Sequence, residues 1–381
     1  MIVINYFISL MIVIWSMISG KLMFLYRRLI DVNQMTAETP PISIIIPARN
    51  EQSNLPKLLK SINANNTRTE VIVVDDDSTD DTRGIAEACG AKAIQVSGHS
   101  KYKGKSNACW QGALQASHSF LLFIDADVEL TAKESLSRIY GQYEKQSCKG
   151  LLSIQPYHMI KNKYENLSAI FNLFTLVGMN AFSYKHHNNK NIGAFGPVVF
   201  TNKQDYLTTE GHLNAQGAII EGFAISKAYD KLGLPVEIYE GANIVNFRMY
   251  PEGLSSLVNG WSKHFASGSS ITKRSVMFMT MSWLFGSITS VLLIIFGLKK
   301  SMKALIISLI MYGSYALQFL ILIKRVGNFN KVISLLHPVF SLCFVIIHAK
   351  SWMDIHVFKT VKWKDRKIDL NAKLESRGEK E

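Results

Sequence analysis

Four runs of this chain, residues 2–18, 276–298, 304–323 and 332–349, are almost entirely apolar. Each approaches the roughly 20 residues that a helix needs to span the hydrocarbon of a bilayer. The 48% hydrophobic content is therefore concentrated at the two ends of the sequence, and residues 40–270 have the mixed composition of a water-soluble domain. At 381 residues there is room for one globular domain of ordinary size in addition to these segments. The expected division is an N-terminal anchor over 1–25, a soluble domain over 40–270, C-terminal membrane segments over 276–349 and a basic tail over 350–381.

The first run lacks a basic region before it and an Ala-x-Ala cleavage pattern, whereas Lys21, Arg27 and Arg28 follow it. It is expected to be an uncleaved anchor that leaves the soluble domain in the cytoplasm, because basic flanks stay on that side. The charges near the C-terminal runs fit less simply. Lys299, Lys300 and Lys303 occupy one short loop, Lys324, Arg325 and Lys331 the next, and the tail is basic again. Three full crossings would put the first loop and the tail outside. That bias favours a re-entrant or interfacial course for one run, and 332–349, which carries His337-Pro338, is the candidate.

A net charge of +13 raises the question of nucleic acid. Much of the excess lies in the juxtamembrane loops and the tail (Lys359, Lys362, Lys364, Arg366, Lys367), a placement suited to anionic lipid headgroups. No zinc-finger or RNA-recognition pattern occurs, so a nucleic-acid partner is not expected. Cys89, Cys109, Cys148 and Cys343 form no close pair, which argues against a disulfide framework or a zinc site.

Within the soluble part, apolar β-type runs at 42–46, 71–74, 91–96 and 120–124 alternate with helical patterns, for example Leu55, Leu58, Leu59 and Ile62. This alternation predicts an α/β, Rossmann-like, mostly parallel sheet whose ligands bind at the strand C-termini. Polar groups stand at that edge: Pro47-Ala48-Arg49-Asn50-Glu51, Asp75-Asp76-Asp77, Gly104-Lys105 and Asp125-Ala126-Asp127. Side chains alternate along a strand, so Asp125 and Asp127 project from one side of its end. Two hard oxygen ligands with open coordination positions suit Mg²⁺ or Mn²⁺ carrying a diphosphate. The pattern describes a site for a metal–nucleotide.

This ordered set resembles family 2 glycosyltransferases, which have the GT-A fold and use nucleotide sugars. Further motifs, Gly150-Leu-Leu-Ser-Ile-Gln-Pro-Tyr157, Ala169-Ile-Phe-Asn-Leu173, Ala194-Phe-Gly-Pro197, Ile219-Ile-Glu-Gly-Phe223, Phe247-Arg-Met-Tyr250 and Gly260-Trp-Ser-Lys-His264, narrow the resemblance to members that glucosylate a long carotenoid acid. It implies a membrane-bound inverting hexosyltransferase with UDP-glucose as donor, a carotenoid acid as acceptor, a divalent cation, the lipid bilayer and other enzymes of the same pathway as partners.

The roles implied are these. Asp75 and Asp76 accept hydrogen bonds from uracil and ribose, and Pro47 and Glu51 line the nucleobase, with Arg49 either joining them or pairing with the acidic cluster. Asp77 stands where the family usually has Gly, at a position that wants a positive φ. Lys105 offsets acidic or phosphate charge. Asp127 is the direct metal ligand, and Asp125 contacts ribose or sugar and supports the metal.

Glu221 is the general base or positions the sugar; Gly222 replaces the Asp that follows it in the broader family. An alcohol acceptor must lose a proton as it attacks, whereas a carboxylic acid is already ionised at neutral pH, so a carboxylate acceptor makes the missing Asp tolerable. Lys263 and His264 bind the diphosphate or the acceptor carboxylate, or else face the membrane surface. Trp261 is expected as an interfacial anchor. Residues 164–184 suit either a core helix or one lying in the interface. Transfer to a lipid alcohol, a polysaccharide synthase lacking Gln-x-x-Arg-Trp, a nucleotidyltransferase and a non-catalytic scaffold are the rival readings.

Overall fold

The computed structural model describes residues 1–31, 38–96, 104–184, 193–216, 221–268, 272–356, 360–363 and 366–369, with side chains at 263–268 and beyond 353 outside the description. Most of the basic tail and the Ile219-Ile220 half of one motif thus lie outside the described residues.

The elements run α1 (Ile2–Met23), β1 (Ile42–Ala48), α2 (Leu55–Asn63), β2 (Thr69–Asp75), α3 (Thr82–Ala88), β3 (Lys92–Gln95), α4 (Lys105–Gln115), β4 (Phe120–Ile124), β5 (Val128–Leu130) and α5 (Ser135–Glu144). There follow β6 (Leu151–Gln155), β7 (Tyr157–His158), α6 (Ser168–Gly178), β8 (Val198–Asn202), α7 (Lys203–Thr208), α8 (Glu221–Lys231), β9 (Val236–Glu240) and β10 (Val245–Phe247). The chain then enters α9 (Leu254–Gly268), α10 (Arg274–Lys300), α11 (Met302–Val326) and α12 (His337–His356).

The main sheet has the order β3-β2-β1-β4-β8-β6-β9. β8 alone is antiparallel to its neighbours. The central parallel strands β1 and β4 are buried on both faces, which explains their unbroken apolar runs. Alternation then divides each strand between two cores. Ile44 and Ile46 of β1 join Leu122 and Ile124 of β4 on one face, while Ile45, Leu121 and Phe123 join the other. Helix α2 buries Leu55, Leu58, Leu59 and Ile62, the stripe that its spacing predicts. A second sheet, β5-β10-β7, crosses the C-terminal edge and begins directly after the Asp-x-Asp.

Among the described residues four helices are long and apolar enough to cross a membrane: Ile2–Met23, Arg274–Lys300, Met302–Val326 and the stretch Lys331–Met353 that contains most of α12. α1 and α10 lie antiparallel. Tyr6 donates to the carbonyl of Ala304 just beyond α10 (3.1 Å), and Thr280 to the Met23 sulfur at the other end (3.3 Å). Between Tyr6 and Met23 the packed face of α1 is made of small residues, Ser9, Val13, Ser16, Ser19 and Gly20, which let the helices approach closely. A Cβ on Gly286 would stand 1.8 Å from the Ser16 hydroxyl. Ile4, Phe7, Ile8, Met11 and Trp15 point outward as exposed apolar side chains.

The bundle is joined to the sheet by a buried ion pair. Arg325, at the end of α11, donates to Glu240 at the end of β9 (2.6 Å) and to the carbonyls of Phe24 and Tyr26 (3.0 and 2.7 Å). The α6 region is a core helix. Ala169, Ile170, Phe171, Leu173 and Leu176 are fully buried, and the core they join is that of the apolar helices. Trp261 departs from the expected interfacial anchor. It is 2% exposed, stacks on Phe171 (5.2 Å, 15°) and donates to Ser168 (3.1 Å). The ring meets an apolar helix instead of headgroups, because α9 packs against α6 and α12.

Candidate active site

The site forms where β1, β2 and β4 end side by side. Register puts Ala48 next to Asp75, so the loops after β1 and β2 leave the sheet together and are bonded to each other. The Asn50 side chain accepts from Thr79 N (2.8 Å), Glu51 N donates to Thr82 (2.9 Å), and Arg49 donates to the Asp76 carbonyl (2.9 Å). Arg49 also stands 3.9 Å from the Asp77 carboxylate, in the direction of the salt-bridge alternative. Asn50 and Asp77 have φ of 53° and 65°, a left-handed backbone that Asn and Asp tolerate.

Asp75 and Asp76 are both 5% exposed. Each carboxylate is held by backbone: Asp75 accepts from Ser78 N (3.1 Å) and Asp76 from Gly104 N (3.1 Å). Pro47 sits on β1 beside Val74. Glu51 accepts from the Asn54 side chain (2.8 Å).

Lys105 opens α4, behind Gly104 with φ of 105°. Its ammonium lies 2.6 Å and 2.8 Å from the two oxygens of Asp125 and donates to the Gly196 carbonyl (3.2 Å). Burial opposes charge on Lys105, but Asp125 and Glu221 outweigh it and raise its pKa. Asp125 is fixed by its own backbone, whose N–H donates to Pro197 (2.9 Å). The Ala194–Pro197 motif therefore supports Lys105 and Asp125, a role that its residue types do not suggest. Cys109, one turn along α4, is buried within the field of the same three charges, and burial drives its thiol pKa well up.

Asp127 is the most perturbed acid. Burial, and then the charges of Asp125 and Glu51, push its pKa up to about 7. Crowded carboxylates at the end of a strand are a charge distribution that a divalent cation relieves, so Asp125 and Asp127 fit the expected Mg²⁺ or Mn²⁺. Among the described residues no group of three or more His, Cys, Asp or Glu is arranged to hold a metal. A cation here would need oxygen ligands from substrate or water.

Glu221 begins α8 as the acid of its first turn, close enough to Lys105 to raise its pKa. Gly222 beside it has no room for a side chain: a Cβ would fall 1.8 Å from the Ala194 carbonyl. Lys263 and His264 lie on α9, with side chains outside the described ones. Asp75, Asp76, Glu51, Lys105, Asp125, Asp127 and Glu221 thus ring one sheet edge. Tyr250 follows β10, which pairs with β5 directly after the Asp-x-Asp.

The family model described as Glycosyl transferase family 2 matches residues 43–199, which span β1 to β8. A 4,4′-diaponeurosporenoate glycosyltransferase of Staphylococcus aureus (strain MRSA252) is 42% identical over 362 residues, covering 94% of this chain and 96% of that protein. Among solved structures, a mannosyltransferase of Pyrobaculum calidifontis, in complex with GDP-Man and Mn²⁺, superposes with a TM-score of 0.51 at 14% identity, covering 92% of this chain and 99% of that one. That last likeness bears on the fold alone, a GT-A sheet with appended helices. With its strand-end acids, its family match and a full-length relative at this identity, the chain belongs to glycosyl transferase family 2 and is a glycosyltransferase.

Proposed function

We propose that the protein is a membrane-bound, inverting enzyme that transfers glucose from UDP-glucose to the carboxylate of 4,4′-diaponeurosporenoate, forming a β-glucosyl ester in staphyloxanthin synthesis. Full-length similarity to the Staphylococcus aureus enzyme supports the acceptor. The structural observation that carries the reading is the closed space at Gly222, where the Ala194 carbonyl excludes any side chain. The second acid of the broader family's Glu-Asp pair is sterically barred, so the site is built without it. An acceptor whose pKa is near that of Asp or Glu arrives ionised and needs no base.

In this reading Asp75, Asp76, Pro47 and Glu51 hold the nucleoside, and Lys105 stands beside the diphosphate. Asp127, supported by Asp125, would hold the divalent cation, which when bound offsets charge on the departing diphosphate. Glu221 orients the glucose. The acceptor carboxylate attacks the anomeric carbon from the face opposite UDP; the bond to the β-phosphate oxygen breaks with its electrons leaving on UDP. Lys263 and His264 are candidates for the diphosphate or the incoming carboxylate.

The catalytic domain is assigned to the cytoplasmic face, where UDP-glucose is available. Lys21, Arg27, Arg28, Arg274, Lys324 and Arg325 cluster at the domain-side ends of the helices, against Lys299, Lys300 and Lys303 at the far end, the bias expected for a cytoplasmic domain.

We further propose that 331–353 re-enters instead of crossing. Phe329 and Asn330 contact His158 and Asn166 beside the domain. His337 is bonded to Ser287 halfway along α10 (2.7 Å), and Phe340 packs on Phe319. Phe344 then meets Phe171 and Phe174, and Ser351 is bonded to the Ser262 carbonyl of α9. The partners descend to mid-bundle and return.

The decisive test is transfer from radiolabelled UDP-glucose with Mn²⁺ or Mg²⁺, using purified protein in liposomes and offering the carotenoid acid beside a matched polyprenyl alcohol. An alkali-labile glucosyl product from the acid alone is expected, and Asp127→Ala removes it. Transfer to the alcohol alone would overturn the acceptor. For the topology, an impermeant maleimide should label Met302→Cys from one face of sealed vesicles and a cysteine after α12 from the other, the face of the catalytic domain.

A further inference from the structure

One buried polar group beside the acids has no hydrogen-bond partner among the described residues. The hydroxyl of Tyr250 is shielded from solvent and makes no hydrogen bond among the described residues. Such a group is costly to leave unsatisfied unless a ligand completes it.

The backbone delivers Tyr250 to this place by register and holds it there. β10 runs antiparallel to β5 with Phe247 opposite Val128, so the chain leaving β10 passes alongside Asp127. Tyr250 then adopts φ of 57°, a conformation that a bulky non-Gly residue rarely takes. Tyr164 fastens the turn by donating to the carbonyls of both Tyr250 and Pro251, each at 2.9 Å. From the other side α9 leaves space for the ring. A Cβ on Gly260 would stand 2.5 Å from the Tyr250 hydroxyl oxygen, and Trp261 meets the ring edge-on at 5.8 Å.

Tyr250 is packed against the core of the apolar helices, and it also feels the charge of Asp127. A phenol has an ordinary pKa near 10, so at neutral pH the hydroxyl is protonated and meets an anion as a donor. The nucleoside-side acids Asp75 and Asp76 are already held by Ser78 and Gly104. The vacant donor lies against Gly260 of α9, a helix that packs on α12 of the bundle from which a lipid-borne substrate would come.

We propose that Tyr250 is an acceptor-binding residue, its hydroxyl donating to the non-attacking carboxylate oxygen of a long-chain acid while the other oxygen attacks the sugar. This rests on the carboxylate-acceptor reading above. No proton moves in the step: the C–O bond to the acceptor forms as the bond to UDP breaks, and Tyr250 only orients the acid.

Tyr250→Phe in the full-length protein is the test, since it deletes one oxygen and keeps the ring. The KM for the carotenoid acid should rise about 10- to 100-fold, the effect of one hydrogen bond to a charged group, with the KM for UDP-glucose and metal-dependent UDP binding unchanged. Gly260→Ala, which crowds the same hydroxyl, should raise the acceptor KM as well, and it carries the test if Tyr250→Phe fails to fold. An unchanged acceptor KM in Tyr250→Phe, with wild-type transfer intact, overturns the assignment and leaves the carboxylate reading standing. Wild-type protein that never glucosylates the acid overturns both.

Discussion

The ammonium of Lys105 and the carboxylate of Asp125 meet at 2.6 Å and 2.8 Å, tying the first residue of α4 to the end of β4. Both groups are about three-quarters buried, so the pair is screened less than a surface ion pair. Lys105→Gln should leave Asp125 and Asp127 uncompensated and lower kcat/KM for transfer by roughly 100-fold. Asp125→Asn should do about the same. Because the two act as a unit, the double variant should be little worse than either alone. Fully additive losses in steady-state kinetics would show that they work separately.

Asp127→Ala should cost several kcal/mol of transition-state stabilisation, or about 10²–10³-fold or more in kcat. The same variant should lose the Mn²⁺-dependent part of UDP binding in a calorimetric titration. Treating wild-type enzyme with EDTA should abolish transfer, with activity returning on added Mn²⁺ or Mg²⁺. Activity that survives chelation would remove the metal from the scheme.

Restoring the broader family's second acid should fail. A Cβ at 222 collides with the Ala194 carbonyl, so Gly222→Asp forces α8 or the Ala194–Pro197 loop to move. The expected result is a melting temperature several degrees lower and no gain of transfer to an alcohol. A stable Gly222→Asp protein that glucosylates alcohols would contradict the packing argument.

Among the described residues of the soluble domain, His158 and His212 are buried neutral. Burial holds His158 down at about 4 and His212 at about 3, against an ordinary value near 6.5. Between those values the unfolded chain binds more protons than the folded one, so stability falls as pH drops below about 6.5. Denaturation at pH 7.5 and pH 5 should show the loss, and His212→Gln should shrink it. An equal loss in that variant would assign the pH dependence elsewhere.

The Arg325–Glu240 pair, at 8% and 2% side-chain exposure, joins the bundle to the sheet. Arg325→Met alone leaves the buried Glu240 carboxylate with only Arg27 at 3.8 Å and the Arg28 N–H at 3.2 Å, and should cost about 3 kcal/mol. Adding Glu240→Leu should restore part of it. A single variant with wild-type thermal stability in detergent would indicate that the joint is held by packing.

Much of this architecture is legible without coordinates. The apolar runs of α1, α10 and α11, the βα alternation and the acids at the strand ends follow from local rules: side-chain period, backbone hydrogen bonding and the tendency of charge to sit at strand termini. The spacing of Leu55, Leu58, Leu59 and Ile62 is enough to orient α2, since a helix face depends on neighbours within eight residues. The positive φ of Asp77 is legible only through the resemblance, since the family usually has Gly at that position.

What the chain's order alone left open concerns contacts between distant residues. Trp261 next to a membrane segment suits an interfacial anchor, yet Phe171, ninety residues earlier, buries it. Gly222 looks like a simple loss of an acid until Ala194 is seen to fill the space. Tyr250 ends a motif that carries the resemblance, but its role is not local, because its position depends on β10 pairing with β5 more than a hundred residues away. Sequence determined the elements and the chemistry at their ends, where interactions are short-range. Tertiary structure decided which side chains close the site, because burial and steric exclusion are set by whichever segment packs there.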